Sequence, residues 1–207
     1  MKVARILYPV TVLGPGNRVG LWLSGCPHHC KECSNPELWE QHDDQELSLS
    51  AILSAITAIS KKGPIDGFVF TGGDPMLQAN ELSVLLPLLK VFSEDILLYT
   101  GYEYEQLLSF KDQAYVDCLK NISVLVDGRY IDELNDGTPL RGSRNQRILV
   151  LDDRIKDKYL DYLTSLDGNE IQQFPTPGGF ISVGIHRRGF RRELRRKATE
   201  RGVNISG

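Results

Sequence analysis

Long apolar runs are missing from this chain. Nothing approaches the roughly 20 consecutive apolar residues that a membrane-spanning helix needs, so no membrane association is expected. The start, Met1-Lys2-Val3-Ala4-Arg5-Ile6, has no apolar core followed by a small-residue cleavage site, and a cytoplasmic protein is expected. There is no internal repeat and no low-complexity stretch, so neither a repeat array nor a disordered tail is expected. Cysteine is scarce: four in 207 residues, at 26, 30, 33 and 118. A disulfide scaffold would spread its cysteines along the chain and needs a secretory context, whereas here three fall within eight residues. Net charge is only −3. What remains is an ordinary globular composition, 41% hydrophobic and 25% charged, long enough for one domain with a real core.

The pattern of elements is alternating. Val3 to Val12 is an apolar segment ending in the turn Gly14-Pro15-Gly16-Asn17. Val19 to Ser24 reads as a strand, followed at once by an irregular loop from Gly25 to Pro36. Residues 47–62 read as a helix with Ser48 or Ser50 as cap and Gly63-Pro64 as stop. Gly67 to Thr71 reads as a buried strand ending in Gly72-Gly73-Asp74-Pro75. A helix is predicted over 80–92, with Pro87 expected to kink it or end it early. Further strands are predicted at 96–100, 122–126, 147–151 and 180–185, and helices at 103–110 and 155–165. Short β-branched strands alternating with helices imply an α/β fold with a mainly parallel sheet. In such folds the site lies at the carboxyl edge of the strands. The cysteine loop, Gly72-Gly73-Asp74, Thr100-Gly101-Tyr102 and Asp127-Gly128 all fall at such ends.

The chemistry is concentrated in Cys26-x3-Cys30-x2-Cys33. Three thiolates can hold a cubane 4Fe-4S cluster and leave its fourth iron open to a chelating ligand. The amino and carboxylate groups of S-adenosylmethionine would serve, setting its sulfonium beside the cluster for one-electron cleavage to a 5′-deoxyadenosyl radical. The competing reading is a structural zinc site with His28, His29 or His42 as fourth ligand, although the 3-then-2 spacing fits zinc knuckles badly. Glycines at a strand end permit close backbone approach to a ligand, and backbone carbonyls or the Asp74 carboxylate could accept from the methionine ammonium.

These motifs resemble the radical S-adenosylmethionine superfamily. Gly14-Pro15-Gly16-Asn17-Arg18, Tyr99-Thr100-Gly101-Tyr102, Val124-Leu125-Val126-Asp127-Gly128 and Arg141-Gly142-Ser143-x-Asn145-Gln146 follow in an order similar to the glycyl radical enzyme activases that serve anaerobic ribonucleoside-triphosphate reductase. The resemblance spans about residues 5 to 152. It implies an incomplete β/α barrel, open on one side to admit a glycine loop of a partner enzyme. It also implies a reduced flavodoxin- or ferredoxin-type electron donor. Cys26, Cys30 and Cys33 would be the cluster ligands and catalytic residues. Glu32, Cys33, Ser34, Gly72, Gly73 and Asp74 would contact S-adenosylmethionine, with Thr100 and Asp127 as further pocket residues. Because Glu32 and Ser34 stand where related chains often carry aromatics, the adenine is expected to stack elsewhere, on Tyr102 or Trp39. A stand-alone radical enzyme acting on a peptide or small molecule is the alternative.

Residues 1–153 therefore read as the activase-like core and 154–207 as a C-terminal extension with a basic tail helix. From Arg187 to Arg201 seven arginines and a lysine face two glutamates, a segment of +6 on a body near −9. It is expected either to dock an acidic partner or to pack through Phe190 and Leu194 and complete the barrel. No nucleic-acid motif accompanies it, so nucleic acid is not expected. Cys118 reads as a buried structural thiol.

Overall fold

The computed structural model describes residues 1–166, 168–177 and 179–202. Its centre is one six-stranded sheet in sequential order: β1 (Val3–Val10), β2 (Arg18–Leu23), β3 (Gly67–Gly72), β4 (Ile96–Tyr99), β5 (Val124–Asp127) and β6 (Arg147–Val150). β2 to β5 are parallel, and the outer strands β1 and β6 pair antiparallel. The connections are helical: α1 (Leu49–Ser60) between β2 and β3, α2 (Ala79–Leu89) between β3 and β4, and α3 (Tyr104–Ser109) with α4 (Gln113–Asn121) between β4 and β5. After β6 come α5 (Lys156–Ser165), a separate hairpin of β7 (Ile171–Thr176) and β8 (Gly179–Gly184), and α6 (Phe190–Glu200). The strand predicted at 180–185 thus exists, but it belongs to this hairpin and not to the main sheet. No helix among the described residues is long and apolar enough to cross a membrane.

Local chemistry sets the helix ends. Ser48 accepts from the Ala51 amide at 3.2 Å and starts α1. Pro87 lies in the last turn of α2, where it cannot donate to the carbonyl four residues back, and the helix stops at Leu89 rather than reaching Phe92. Period-two alternation sorts the strand side chains onto two faces. Val19, Leu21, Leu23, Phe68, Phe70, Ile96, Leu98 and Leu125 meet α1, α2 and α4 on the helical face. Trp22, Val69, Leu97, Val124 and Val126 point to the other face. In a complete barrel that face would be an enclosed interior. Here it is covered by the C-terminal extension, through Tyr159 of α5 and Val183 of β8.

One buried ion pair ties this extension to the sheet. Arg18 is fully buried, and its guanidinium donates to both Asp95 oxygens (2.8 and 3.1 Å), to the Phe68 carbonyl (2.7 Å) and to the Pro15 carbonyl (3.2 Å). Asp95 also accepts from two residues of α5, the Lys158 ammonium (2.7 Å) and the Tyr159 hydroxyl (2.8 Å). Burial works to raise the Asp95 pKa, but the hydrogen bonds and charges of Arg18 and Lys158 outweigh it and hold the carboxyl below its ordinary value. A group with a depressed folded pKa contributes its stability above the unfolded value, about 3.9 for Asp, and loses it as pH falls through the folded one. Asp95→Asn would leave Arg18 charged and underpaired, at an expected cost of about 3 kcal/mol or more. Urea midpoints should show the loss at pH 7. The wild-type advantage over the variant should shrink only below about pH 4. Equal midpoints at pH 7 would show that the pair does not anchor α5.

Candidate active site

The cysteine loop leaves β2 at Leu23 and is pinned at its root by backbone bonds. Ser24 donates to the Lys2 carbonyl (3.1 Å), Gly25 to Leu38 (2.9 Å) and Cys26 to Trp39 (2.8 Å). Past the root the chain makes tight reversals, with His29 at φ 45° and Glu32 at φ 58°, both left-handed. Cys26, Cys30 and Cys33 are free thiols, partly exposed, and all line one pocket at the carboxyl edge of the parallel strands. Burial pushes the Cys26 thiol up, opposed by the backbone amides of His28 and His29 beside its sulfur. Burial likewise raises Cys33, whose sulfur accepts from the Asn35 amide at 3.4 Å. Amides aimed at sulfur favour the thiolate and tune a bound cluster.

Gly72 and Gly73 line the same pocket. The reason they must be glycine differs from the expectation. A Cβ on Gly73 would stand 2.3 Å from the Gly25 carbonyl oxygen and 2.8 Å from that of Leu38. The close approach is therefore to the root of the cysteine loop, and two backbone bonds seal it: Gly73 to the Leu23 carbonyl (2.7 Å) and Asp74 to the Gly25 carbonyl (2.8 Å).

Asp74 is only 1% exposed. Its Oδ1 accepts from the Met76 amide (3.0 Å) and the Thr100 hydroxyl (2.9 Å). Its Oδ2 meets the Gly101 amide and His28 Nε2, both at 2.8 Å. The carboxylate expected to meet a ligand ammonium is instead saturated by the chain itself, and it clasps the loops after β2, β3 and β4 together. Gly101 completes the fit, since a Cβ there would lie 2.3 Å from the His28 ring. His28 had no such role foreseen; nothing local to it points to a partner 46 residues away.

Glu32, Ser34 and Thr100 line the pocket. Asp127 does not. Its buried carboxylate accepts from the Tyr104 amide (2.8 Å) and is gripped by Arg147, which also reaches Glu105. Its place is to join β5, β6 and the start of α3. Tyr102 and Trp39, the expected adenine platforms, are not among the pocket residues. Tyr102 packs edge-on against His28 and Phe110, and Trp39 stacks on His29 at 4.8 Å. Cys118 is buried in the helical core, its thiol donating to the Ala79 carbonyl (3.4 Å) and pushed up to about 12 by burial.

The extension also reaches the site. Gly184, Ile185, His186, Gly189, Phe190 and Arg191 line the cysteine pocket. Arg191 donates to the Cys33 carbonyl at 2.8 Å, Arg188 pairs with Asp132 at 3.0 Å, and Asn135 donates to the His186 carbonyl at 3.0 Å. The start of the tail helix thus lies against the cysteine pocket, through Phe190 and the bonds of Arg188 and Arg191.

The donor set fits a cubane. Among the described residues no group of three or more His, Cys, Asp or Glu side chains is gathered as around a single metal ion. The three thiols line one pocket, and two of the three candidate histidines have partners elsewhere: His28 meets Asp74 and His29 stacks on Trp39. Comparison with known proteins agrees. Residues 12–149 match the family model described as a 4Fe-4S single cluster domain. The chain is 37% identical over 147 residues to the anaerobic ribonucleoside-triphosphate reductase-activating protein of Enterobacteria phage T4, covering 69% of this chain and 90% of that one. The Vibrio cholerae protein of the same name is 39% identical, covering 68% and 93%, and that of Escherichia coli K12 32% identical, covering 67% and 92%. This chain belongs to that activating-protein family. Its cofactors are accordingly a 4Fe-4S cluster and S-adenosyl-L-methionine, and it is an enzyme of the radical type. Nearly the whole length of each relative is matched, yet close to a third of this chain lies outside the match.

The packing around Gly73 makes a clear prediction. Gly73→Ala should displace the root of the cysteine loop, so anaerobically reconstituted variant should lose iron and S-adenosylmethionine binding together. Normal iron with weakened binding would instead show that the glycine faces the ligand alone.

Proposed function

We propose that this enzyme cleaves S-adenosylmethionine reductively and places a glycyl radical on a partner such as an anaerobic ribonucleotide reductase. The observation that carries this is three free thiols sharing one strand-edge pocket with Gly72-Gly73, in a chain of the activating-protein family. A cluster held here would supply one-electron reduction of the sulfonium, the chemistry by which methionine would leave and a 5′-deoxyadenosyl radical would become available to take a hydrogen atom from the partner's glycine. Cys26, Cys30 and Cys33 would hold the cluster. Asp74 is committed to the chain, so the carbonyls of the Gly72–Gly73 segment are left to receive the methionine ammonium. Glu32, Ser34 and Thr100 shape the surrounding wall.

The sequential strand order, with a single step from each parallel strand to the next, supports an incomplete β/α barrel. The electron is supplied by an acidic flavodoxin- or ferredoxin-type donor. A basic rim beside the cysteine loop, formed by Lys31, Arg188, Arg191, Arg192 and Arg195, supports that choice by charge complementarity. Free thiols and an oxygen-sensitive cofactor suit the cytoplasm. The extension over the pocket favours a second reading, a stand-alone radical enzyme acting on a peptide or small molecule.

Anaerobic reconstitution with iron and sulfide should load about four irons per chain and yield 5′-deoxyadenosine on reduction with S-adenosylmethionine. Replacing Cys26, Cys30 or Cys33 by Ala should abolish that product, whereas Cys118→Ala should keep it. Stoichiometric zinc without iron uptake would overturn the proposal. A glycyl radical signal in an added reductase separates the activase from the stand-alone enzyme.

A further inference from the structure

S-adenosylmethionine carries a flat, uncharged purine, and a site for it needs an apolar face plus a polar group at the base edge. The cysteine pocket has five aromatic or imidazole rings in its lining: His28, Tyr99, Tyr130, His186 and Phe190. His28 and Tyr130 are hydrogen-bonded within the chain, and a third ring, Tyr99, is turned inward although its buried hydroxyl has no hydrogen-bond partner among the described residues. His28 is held by Asp74. Tyr99 turns its hydroxyl into the interior near Tyr162 and Arg18. Tyr130 hydrogen-bonds Asp132 (3.0 Å) and Asn135 (3.2 Å). The remaining two form a stacked pair, with ring centroids 4.3 Å apart and planes 23° from parallel.

This pair is built for placement. Phe190 opens α6 just after Gly189, which turns at φ 77°. The His186 carbonyl is tied to Asn135, and its Nε2 lies 2.8 Å from the Ser182 hydroxyl. Its Nδ1 is buried, and among the described residues it has no hydrogen-bond partner. Burial and neighbouring Arg191 push the His186 pKa down to about 4, so the ring is neutral at physiological pH. If Nε2–H donates to Ser182, Nδ1 accepts; if Nε2 accepts from the serine, Nδ1–H donates. Adenine offers both complements on its edge, an exocyclic amino group and ring nitrogens. A buried polar atom without a partner is costly and calls for one.

We propose that His186 and Phe190 are the purine-binding element for the adenosine of S-adenosylmethionine, the phenyl ring stacking on the base and His186 Nδ1 bonding its edge. The inference rests on the reading of this pocket as an S-adenosylmethionine site. Both residues lie beyond 149, the last residue of the family match. This chain would thus carry its nucleoside recognition on an added segment, which also supplies the aromatic contact that Glu32 and Ser34 do not.

The test uses the full chain, reconstituted anaerobically and titrated calorimetrically with S-adenosylhomocysteine, which binds without being cleaved. Phe190→Ala should weaken binding roughly tenfold or more, since base–aromatic stacking is strong enough for that. Phe190→Leu keeps the apolar volume and should weaken it several-fold with iron content intact. His186→Ala should weaken adenosine binding and reduce discrimination against S-inosylhomocysteine, whose base edge reverses donor and acceptor. In all variants free L-methionine should still perturb the paramagnetic signal of the reduced cluster, because its site is elsewhere in the pocket. Affinities within twofold of wild type in both Phe190→Leu and His186→Ala would overturn the proposal. So would loss of the methionine response in step with nucleoside binding, which marks general collapse of the pocket. Wild-type protein that answers neither ligand would overturn the underlying reading and this inference with it.

Discussion

The Asp74 carboxylate holds the site together. A buried charge of this kind is tolerated only when hydrogen bonds replace its lost hydration, and here the Met76 and Gly101 amides, the Thr100 hydroxyl and His28 do so. Those donors come from the loops after three consecutive strands, so satisfying one side chain also sets where the loops stand. Cys26 lies two residues from His28, and the cysteine loop is sealed to Gly73 and Asp74 by backbone bonds. The positions of the thiols are thus inherited from a network of amides and side chains outside the thiols themselves. In such buried networks each member matters more than its own bond, because loss of one leaves the others unpaired.

A second buried carboxylate does similar work at the other end of the sheet. Asp95 joins Arg18 of β2 to Lys158 and Tyr159 of α5. From this anchor the extension runs over the sheet face that a closed barrel would bury, contributes Tyr159 and Val183 to its core, and arrives at the pocket with His186, Phe190 and Arg191. An open sheet with an apolar face must be covered by something, and this chain covers it with its own last quarter. The same device that solves a packing problem brings new side chains to the chemistry.

Much of this was legible locally. Strands at 67–71, 96–100 and 122–126 and the capped α1 follow from periodicity and punctuation, because the core face of each element repeats its pattern along the chain. α4 escaped notice because it is only nine residues long, although Ala114, Cys118 and Leu119 fall at helical spacing. β7 escaped because its outward positions and Pro175 break the alternation a core strand would show. Asp127 was misplaced since a strand-end acid reads as a pocket residue unless its partner is known, and Arg147 lies 20 residues on. The expected adenine platforms, Tyr102 and Trp39, do stand against the cysteine loop, 4.6 Å from His28 and 4.8 Å from His29, but they do not line its pocket.

By itself the sequence determined the chemistry and the class of fold. Cysteine spacing, the glycines after the strands and the alternation of β-branched and helical segments are short-range properties, and short-range sterics and ligand chemistry are sufficient to read them. Only the tertiary structure decided which carboxylates are free, why Gly73 must lack a side chain and where the start of the basic tail lies. Those answers depend on contacts such as Arg191 with Cys33, 158 residues apart. Such contacts form because a buried charge or an open apolar face must find its partner wherever the fold delivers one, and no local pattern records where that is.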